Sequence, residues 1–301
     1  MTEGNTPGNP LPYASPPEVA TAAASALLLG YSAPMPGIDS RYSDVTAAHE
    51  TRLLGVSALA AAVSEAASHT VGKTVLEAVL GSRSVTGHAD LRVAGYLAPL
   101  ARAALLGESL GKVLAGLSHG DARLFARALE MTGPGPFGRA LDEAINVALG
   151  AGQDVTLKDA MRFAVGRDPM AREYARDFEV TRDLARPALF GALVRVEAAR
   201  PALVQAYLEV LAEVPDLDAV NRGGRKEAEE ISRMAKGVLK SGGVYSRRGL
   251  QAISNLDGLL RADRRLTPSA TEPPVVAAAF LLSLEHGAEF LNYRVRPAPG
   301  R

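Results

Sequence analysis

Residues 156–178 read TLKDAMRFAVGRDPMAREYARDF, and this stretch decides the fold class. Thr156 followed three residues later by Asp159 is an acidic form of the capping box that opens a helix. Leu157, Ala160, Met161 and Ala164 then recur at helical spacing. Gly166 loosens that helix near its end, and Arg167 and Asp168 arrive together at the break. Pro169 can start a second helix, because its missing N–H would go unpaired there anyway. Arg172 and Tyr174 ride on the first turns of that second helix. The helix–break–helix therefore gathers Arg167, Asp168 and Arg172 at one corner. Spacing alone allows a solvated corner of ordinary ion pairs as well as an anion site.

The same period extends outward in both directions. Ser15-Pro16-Pro17-Glu18 is a capping box with Pro in the first turn, opening a helix through Leu27–Leu29 that ends near Gly30. Residues 44–68 form a long Ala-rich helix anchored by Leu53, Leu54, Val56, Leu59 and Val63. Lys226 to Leu239 is amphipathic, with Ile231, Met234 and Val238 on one face. Alternating β-branched segments are almost absent, and aromatic residues make up only 5% of the chain with no Trp. The expectation is an all-α protein, a single-domain multi-helix bundle over residues 15–292. It carries a disordered Pro/Gly-rich leader over 1–14 and a loose tail over 293–301.

Composition narrows the chemistry. The chain has 301 residues, 47% of them hydrophobic, enough for a sizeable core. Lys+Arg and Asp+Glu both number 33, so bulk charge points to no nucleic acid and no membrane surface, and any anion site must be local. There is no Cys, which excludes thiol catalysis and thiolate metal ligands. No apolar run has the length of a membrane span, and the first residues lack an export signal, so the expected location is the cytoplasm. Val71-Gly72-Lys73-Thr74 superficially resembles a phosphate loop. The Gly required five residues before Gly72 is Ala67, and no strand precedes it; Thr70 as a helix cap explains the segment better.

Residues 157–178 resemble the segment LREAM…AADRD…A.QYA..F of the triphosphoribosyl-dephospho-CoA synthase family. Leu157, Ala160, Met161, Ala164, Arg167, Asp168, Ala171, Tyr174, Ala175 and Phe178 match it. Further stretches follow the family in the same order. The loop SAPMPGIDSRYSD resembles SA.PKPG..DR..D through Ser32, Ala33, Pro36, Gly37, Arg41 and Asp44, but Met35 replaces a Lys and Ser40 an Asp. Gly87-His88-Ala89-Asp90-Leu91-Arg92 stands where the family has Gly-Asn-Thr-Asn-Leu-Gly, before the matching run Leu97-Ala98-Pro99-Leu100-Ala101. Residues 121–138 resemble DA…A…A.PGGLG, and Pro215-Asp216 matches a family PD. Leu256, Asp257, Leu260, Arg261, Leu266, Pro268, Thr271, Val275, Ala277 and Ala278 fit the closing segment LDA.LR..…LNPGTTADLVAAALF.

The resemblance covers roughly residues 26–284 and implies a helical fold and a transferase reaction. The 2′-hydroxyl of 3′-dephospho-CoA attacks the ribose C1′ of ATP and adenine leaves, giving a triphosphoribosyl-dephospho-CoA for prosthetic-group biosynthesis. On that basis Arg41, Arg92, Arg167 and Arg172 are expected to hold phosphate, with Tyr174 beside them. Asp44 and Asp90 are the candidate ligands of Mg²⁺ accompanying ATP, Asp168, Asp90 and His88 the candidate catalytic groups, and Ser32, Pro36, Gly37, Asp44 and Thr271 the pocket loops. Four stretches are expected to converge on one cavity: the loop at Arg41, the helix start at His88–Asp90, the corner at Arg167–Asp168 with those two residues paired, and the turn at Thr267–Thr271. The expected partners are ATP and dephospho-CoA-like molecules, with a homodimer as the assembly to test. The changed polar positions leave two alternatives: a nucleotide-dependent transferase with another acceptor, or a non-catalytic paralogue binding a ligand or protein.

Overall fold

The computed structural model of the chain describes residues 9–42, 46–88, 90–132, 139–151 and 155–291. Fifteen α-helices follow one another through them, with 3-10 turns and one π-helical segment, Val180–Ala185. Among the described residues there is no strand, only an isolated bridge between Pro10 and Ser109, so the all-α expectation holds. No helix among them is long and apolar enough to cross a membrane. The chain divides into two compact units, residues 1–24 with 51–179 and residues 25–50 with 180–301. Helix α1 (Pro16–Ser32) begins in the first and ends in the second; α2 (Thr46–Ser64) runs the other way.

The first unit continues with α3 (Val71–Thr86), α4 (Leu91–Leu106), α5 (Leu110–Ala115), α6 (His119–Met131), α7 (Arg139–Ala151), α8 (Leu157–Ala164) and α9 (Pro169–Ala175). Helix α4, LRVAGYLAPLARAALL, is apolar almost all round, and such a helix is stable only when enclosed. Leu97, Ala98, Leu100 and Ala101 are accordingly buried, and α3 and α9 pack against it. Gly95 is where α9 comes closest: a Cβ there would lie 2.1 Å from Met170 Sδ. The starts of these helices are set by local chemistry. Thr70 caps α3 through the Lys73 N–H, which settles Gly72-Lys73-Thr74 as a helix start. Ser118 with Asp121 and Thr156 with Asp159 form reciprocal capping boxes.

The leader needs a correction within the described residues. Leu11 is buried, and its N–H donates to the Glu108 carbonyl at 3.0 Å; that of Ala14 donates to Ala104 at 3.1 Å. Leu11 and Ala14, invisible to a period search, tie this segment to the end of α4 and the turn after it. Residues 1–8 and the tail from 292 lie outside the described residues, as do Asp44, Ala89 and the Gly133–Gly138 loop.

The second unit holds α10 (Arg186–Val196), α11 (Ala199–Glu213), α12 (Leu217–Gly223), α13 (Arg225–Lys240), α14 (Arg247–Ala262) and α15 (Glu272–His286). Here α11 and α15 are the enclosed helices, buried from Ala202 to Ala212 (Glu209 apart) and from Glu272 to Ser283. The end of α1 rests on α15 so closely that a Cβ on Gly30 would meet Val276 Cγ2 at 2.6 Å. Arg186 clamps Glu285 with Nε at 2.9 Å from both carboxylate oxygens and Nη2 at 2.6 Å from one. This paired geometry fixes α10 on the end of α15.

Candidate functional site

In the second unit, stretches far apart in the chain are tied into one polar junction. The loop after α1 turns at Gly37, whose φ of +78° suits glycine, and a Cβ there would lie 3.0 Å from Leu260 Cβ and 3.2 Å from Pro268 Cδ. Its N–H donates to Asp257 Oδ1 at 2.8 Å. The other oxygen of Asp257 accepts from Arg261 Nε at 2.8 Å. Arg261 also donates to the Ile38 carbonyl at 2.9 Å and to Asp39 at 3.4 Å, and Arg264 donates to Asp39 at 2.8 Å. Burial alone would lower the pKa of Arg261, but its bonds and charge contacts with Asp257 and Asp39 outweigh that and raise it.

Tyr207 joins this loop to the turn before α15. It is fully buried, and its hydroxyl faces the Pro36 carbonyl at 3.0 Å and the Pro268 carbonyl at 3.4 Å. Burial, reinforced by Asp216, holds its proton on well above the usual phenol range. Asp216 caps α12 through the N–H groups of Asp218 and Ala219, and its second oxygen accepts from Thr271 Oγ1 at 2.8 Å. Asp218 accepts from Ser269 Oγ at 2.8 Å. Arg222 closes the web on Ser269 and on the carbonyls of Thr267 and Arg265. The loop at Pro36–Gly37 and the turn at Thr267–Thr271, two of the four expected stretches, thus meet. Thr271 itself is buried and engaged by Asp216, so it shapes the junction rather than facing a ligand.

The open groups here are cations. Arg41 is exposed on the loop, with its guanidinium carbon 5.2 Å from the Tyr42 ring centre. The Arg264 and Arg265 side chains are 57% and 73% exposed, so both can meet a solute. Ser32 is half-buried at the end of α1. Met35, where the family pattern has Lys, is fully buried, so this position adds no charge to the loop.

In the first unit the expected site residues behave differently. Asp168 is buried and caps α9, accepting from the Ala171 N–H at 2.9 Å. Tyr174 was expected beside phosphate; it is instead a core residue, fully buried, with its hydroxyl donating to the Gly95 carbonyl at 2.7 Å. Burial raises its pKa far above the usual phenol value, with the charge of Asp121 adding to the effect. Arg172 is engaged by Glu179 through Nε at 3.1 Å and Nη2 at 2.9 Å. Arg167 pairs with Glu143 at 3.1 Å on the surface. Asp90 caps α4 through the Val93 N–H and faces Arg52 at 3.8 Å. His88 is exposed two residues before it, and Arg92 is half-buried two residues after it.

Sequence reasoning missed Tyr207, Asp218 and Arg222 as members of the junction. Tyr207 lies in an apolar run and reads as core; only its hydroxyl, needing a partner once buried, was a signal.

The fold and this junction define an all-α protein with an arginine-rimmed polar site assembled from loops at helix ends. Residues 16–290 match the ATP:dephospho-CoA triphosphoribosyl transferase (CitG) family, and the chain belongs to that family. A 115-residue stretch is 28% identical to a protein of Malonomonas rubra named "Probable 2-(5''-triphosphoribosyl)-3'-dephosphocoenzyme-A synthase". That match covers 38% of this chain and 36% of the relative, so it spans little more than a third of the relative's length. A crystal structure from Archaeoglobus fulgidus, described as a "putative triphosphoribosyl-dephospho-coA synthase", superposes with a TM-score of 0.59 at 20% identity. It covers 77% of this chain and 98% of that one, which establishes the shared fold.

Proposed function

We infer that the protein is a triphosphoribosyl-dephospho-CoA synthase-like transferase. In this reading the 2′-hydroxyl of 3′-dephospho-CoA forms a bond to the ribose C1′ of ATP as the C1′–N9 bond breaks. The hydroxyl proton is lost, adenine takes up a proton as it leaves, and the triphosphate stays intact. The observation that carries the reading is membership of the family over residues 16–290. The junction in the second unit supports it: its matched residues hold the loop carrying Arg41 beside Arg264. Preorganised guanidinium groups of this kind suit a phosphate chain.

Mg²⁺ in this reading arrives with ATP as part of the substrate. Among the described residues no three His, Asp or Glu side chains are grouped to hold a metal ion. Asp90, expected as a ligand, already accepts a helix N–H and faces Arg52, so it does not fit a resident metal. Substrate phosphates are the usual main ligands of Mg²⁺. His88, Arg92, Arg167 and Arg172 stay as candidates on the first unit, each answered by its own substitution. A cytoplasmic location follows from the substrates of this reading.

A second reading, a paralogue that binds nucleotide without turnover, is favoured by Met35, buried where the family pattern has a cation. One experiment separates the two: adenine released from MgATP, followed chromatographically with and without dephospho-CoA. Adenine appearing only with both substrates supports the transferase. A nucleotide-dependent rise in melting temperature without adenine supports the binder. Adenine formed only with another hydroxyl acceptor identifies a related transferase.

A further inference from the structure

The face of α11 away from the junction borders a cavity that none of the matched motifs enters. Its volume is about 520 Å³, and Gly191, Arg195, Gln205, Glu209 and Tyr245 are among its lining residues. That volume falls within the range of small-molecule sites, about 300–1,000 Å³. Gln205 and Glu209 lie one turn apart on the same side of α11, whereas Tyr207 sits roughly 200° around from Gln205 at 3.6 residues per turn. The cavity and the junction therefore occupy different sides of the helix.

Its polar groups are built in. Gln205 is 4% exposed; its Oε1 accepts the Val244 N–H at 3.1 Å, which fixes the amide so that Nε2 faces Glu209 Oε1 at 2.9 Å. Glu209, half-buried on the same side of α11, brings a carboxylate acceptor to the lining of the cavity. The Arg195 guanidinium carbon lies 3.7 Å from the Tyr245 ring centre, a stacked pair that gives the site a flat cationic wall. Burial raises the Tyr245 pKa, with Glu209 adding to the rise and Arg195 opposing it, so the hydroxyl keeps its proton as a further donor. Gly191, Ala188 and Ala192 present little side chain along α10 and leave a slot.

We propose that this cavity is a purine-binding site separate from the junction, with Glu209 accepting from an N–H of the base and the Arg195 guanidinium, backed by Tyr245, stacking the ring. A planar heteroaromatic is the ligand that uses both the flat cationic wall and the carboxylate acceptor; guanidinium planes and aromatic rings are common platforms for bases. The proposal goes beyond the transferase reading and does not depend on it.

Calorimetric titration of the full-length protein with adenosine, and separately with inorganic phosphate, tests it. The expected result is saturable adenosine binding that weakens about tenfold, or about 1.4 kcal/mol, in Glu209→Gln and in Tyr245→Leu. Melting temperatures identify any variant that fails to fold, and Glu209→Gln keeps the shape of the side chain. Adenosine binding that ignores both Glu209→Gln and Tyr245→Leu overturns the site, as does no binding at all. Phosphate binding lost in Arg195→Ala without adenosine binding also overturns it in favour of an anion site. Failure of adenine release with Glu209-sensitive adenosine binding intact sinks the transferase reading alone.

Discussion

Asp168 in the first unit and Asp216 in the second are both buried carboxylates that cap short helices, and Asp216 is in addition tied across the chain. The cap of Asp168 reaches three residues along its own chain. Asp216 does the same locally and also holds Thr271, 55 residues away. Their neighbours vary as well. In the first unit the capping box of Thr156 closes within one turn, whereas Asp121 of the Ser118 box also accepts from the Gly72 N–H, 49 residues away. In the second, Asp257 holds Gly37 across 220 positions and Tyr207 holds Pro36 across 171. Local caps set where helices begin. Long-range ties set the shape of loops, and loops are where binding groups are commonly displayed.

The sharpest way to break this contrast is to remove the two carboxylates in turn. Asp216→Ala strands two backbone N–H groups and the Thr271 hydroxyl, with an expected loss of about 3 kcal/mol in urea unfolding. Asp168→Ala removes a cap bond and is expected to cost about 1–2 kcal/mol. Equal losses would end the distinction. Gly37→Ala follows, at about 1–2 kcal/mol, because alanine is strained at φ +78° and its Cβ crowds Leu260. It should also weaken MgATP binding by displacing the Arg41 loop, which calorimetry can read.

Tyr174→Phe tests the corrected role of that residue. Loss of the bond to the Gly95 carbonyl should cost about 1 kcal/mol and leave nucleotide affinity unchanged. Arg264→Ala should do the reverse: a stability change below about 0.5 kcal/mol, since its ion pair is exposed, with MgATP binding weakened about tenfold. The smallest effect concerns pH. The Thr156 hydroxyl, then its N–H, hold the Asp159 carboxyl below its ordinary value. A depressed carboxyl stabilises the fold above its unfolded pKa, and that contribution fades as pH falls through the folded one. Asp159→Asn should flatten the acid limb of stability slightly below the usual Asp pKa of about 3.9, where the native carboxyl takes up its proton.

Most of the helical architecture was legible because its signals are local. Thr70, Ser15, Thr156 and Pro169 sit where a cap or first turn was expected, and the alanine-rich periods became buried faces. Asp90 and Asp168 mark the limit of that approach: both were expected as catalytic groups, and both serve as caps. Tyr174 was misplaced because a tyrosine on a charged helix looks amphipathic until the depth of its face is known. The partners of Asp257 and Asp216 were out of reach, since no periodicity encodes a bond across the chain. Arg195 and Tyr245 meet only after α10 and the turn beyond α13 have folded against α11.

The bond from the Gly37 amide to Asp257 has a spectroscopic consequence. That N–H lies in a loop, where amides ordinarily exchange their hydrogen with solvent quickly, yet it donates to a carboxylate on α14. Its exchange rate in deuterated water therefore reports how often the loop lifts from α14, rather than how often a helix frays. A single resonance, followed with and without nucleotide, would register the opening and closing of the loop that carries Arg41.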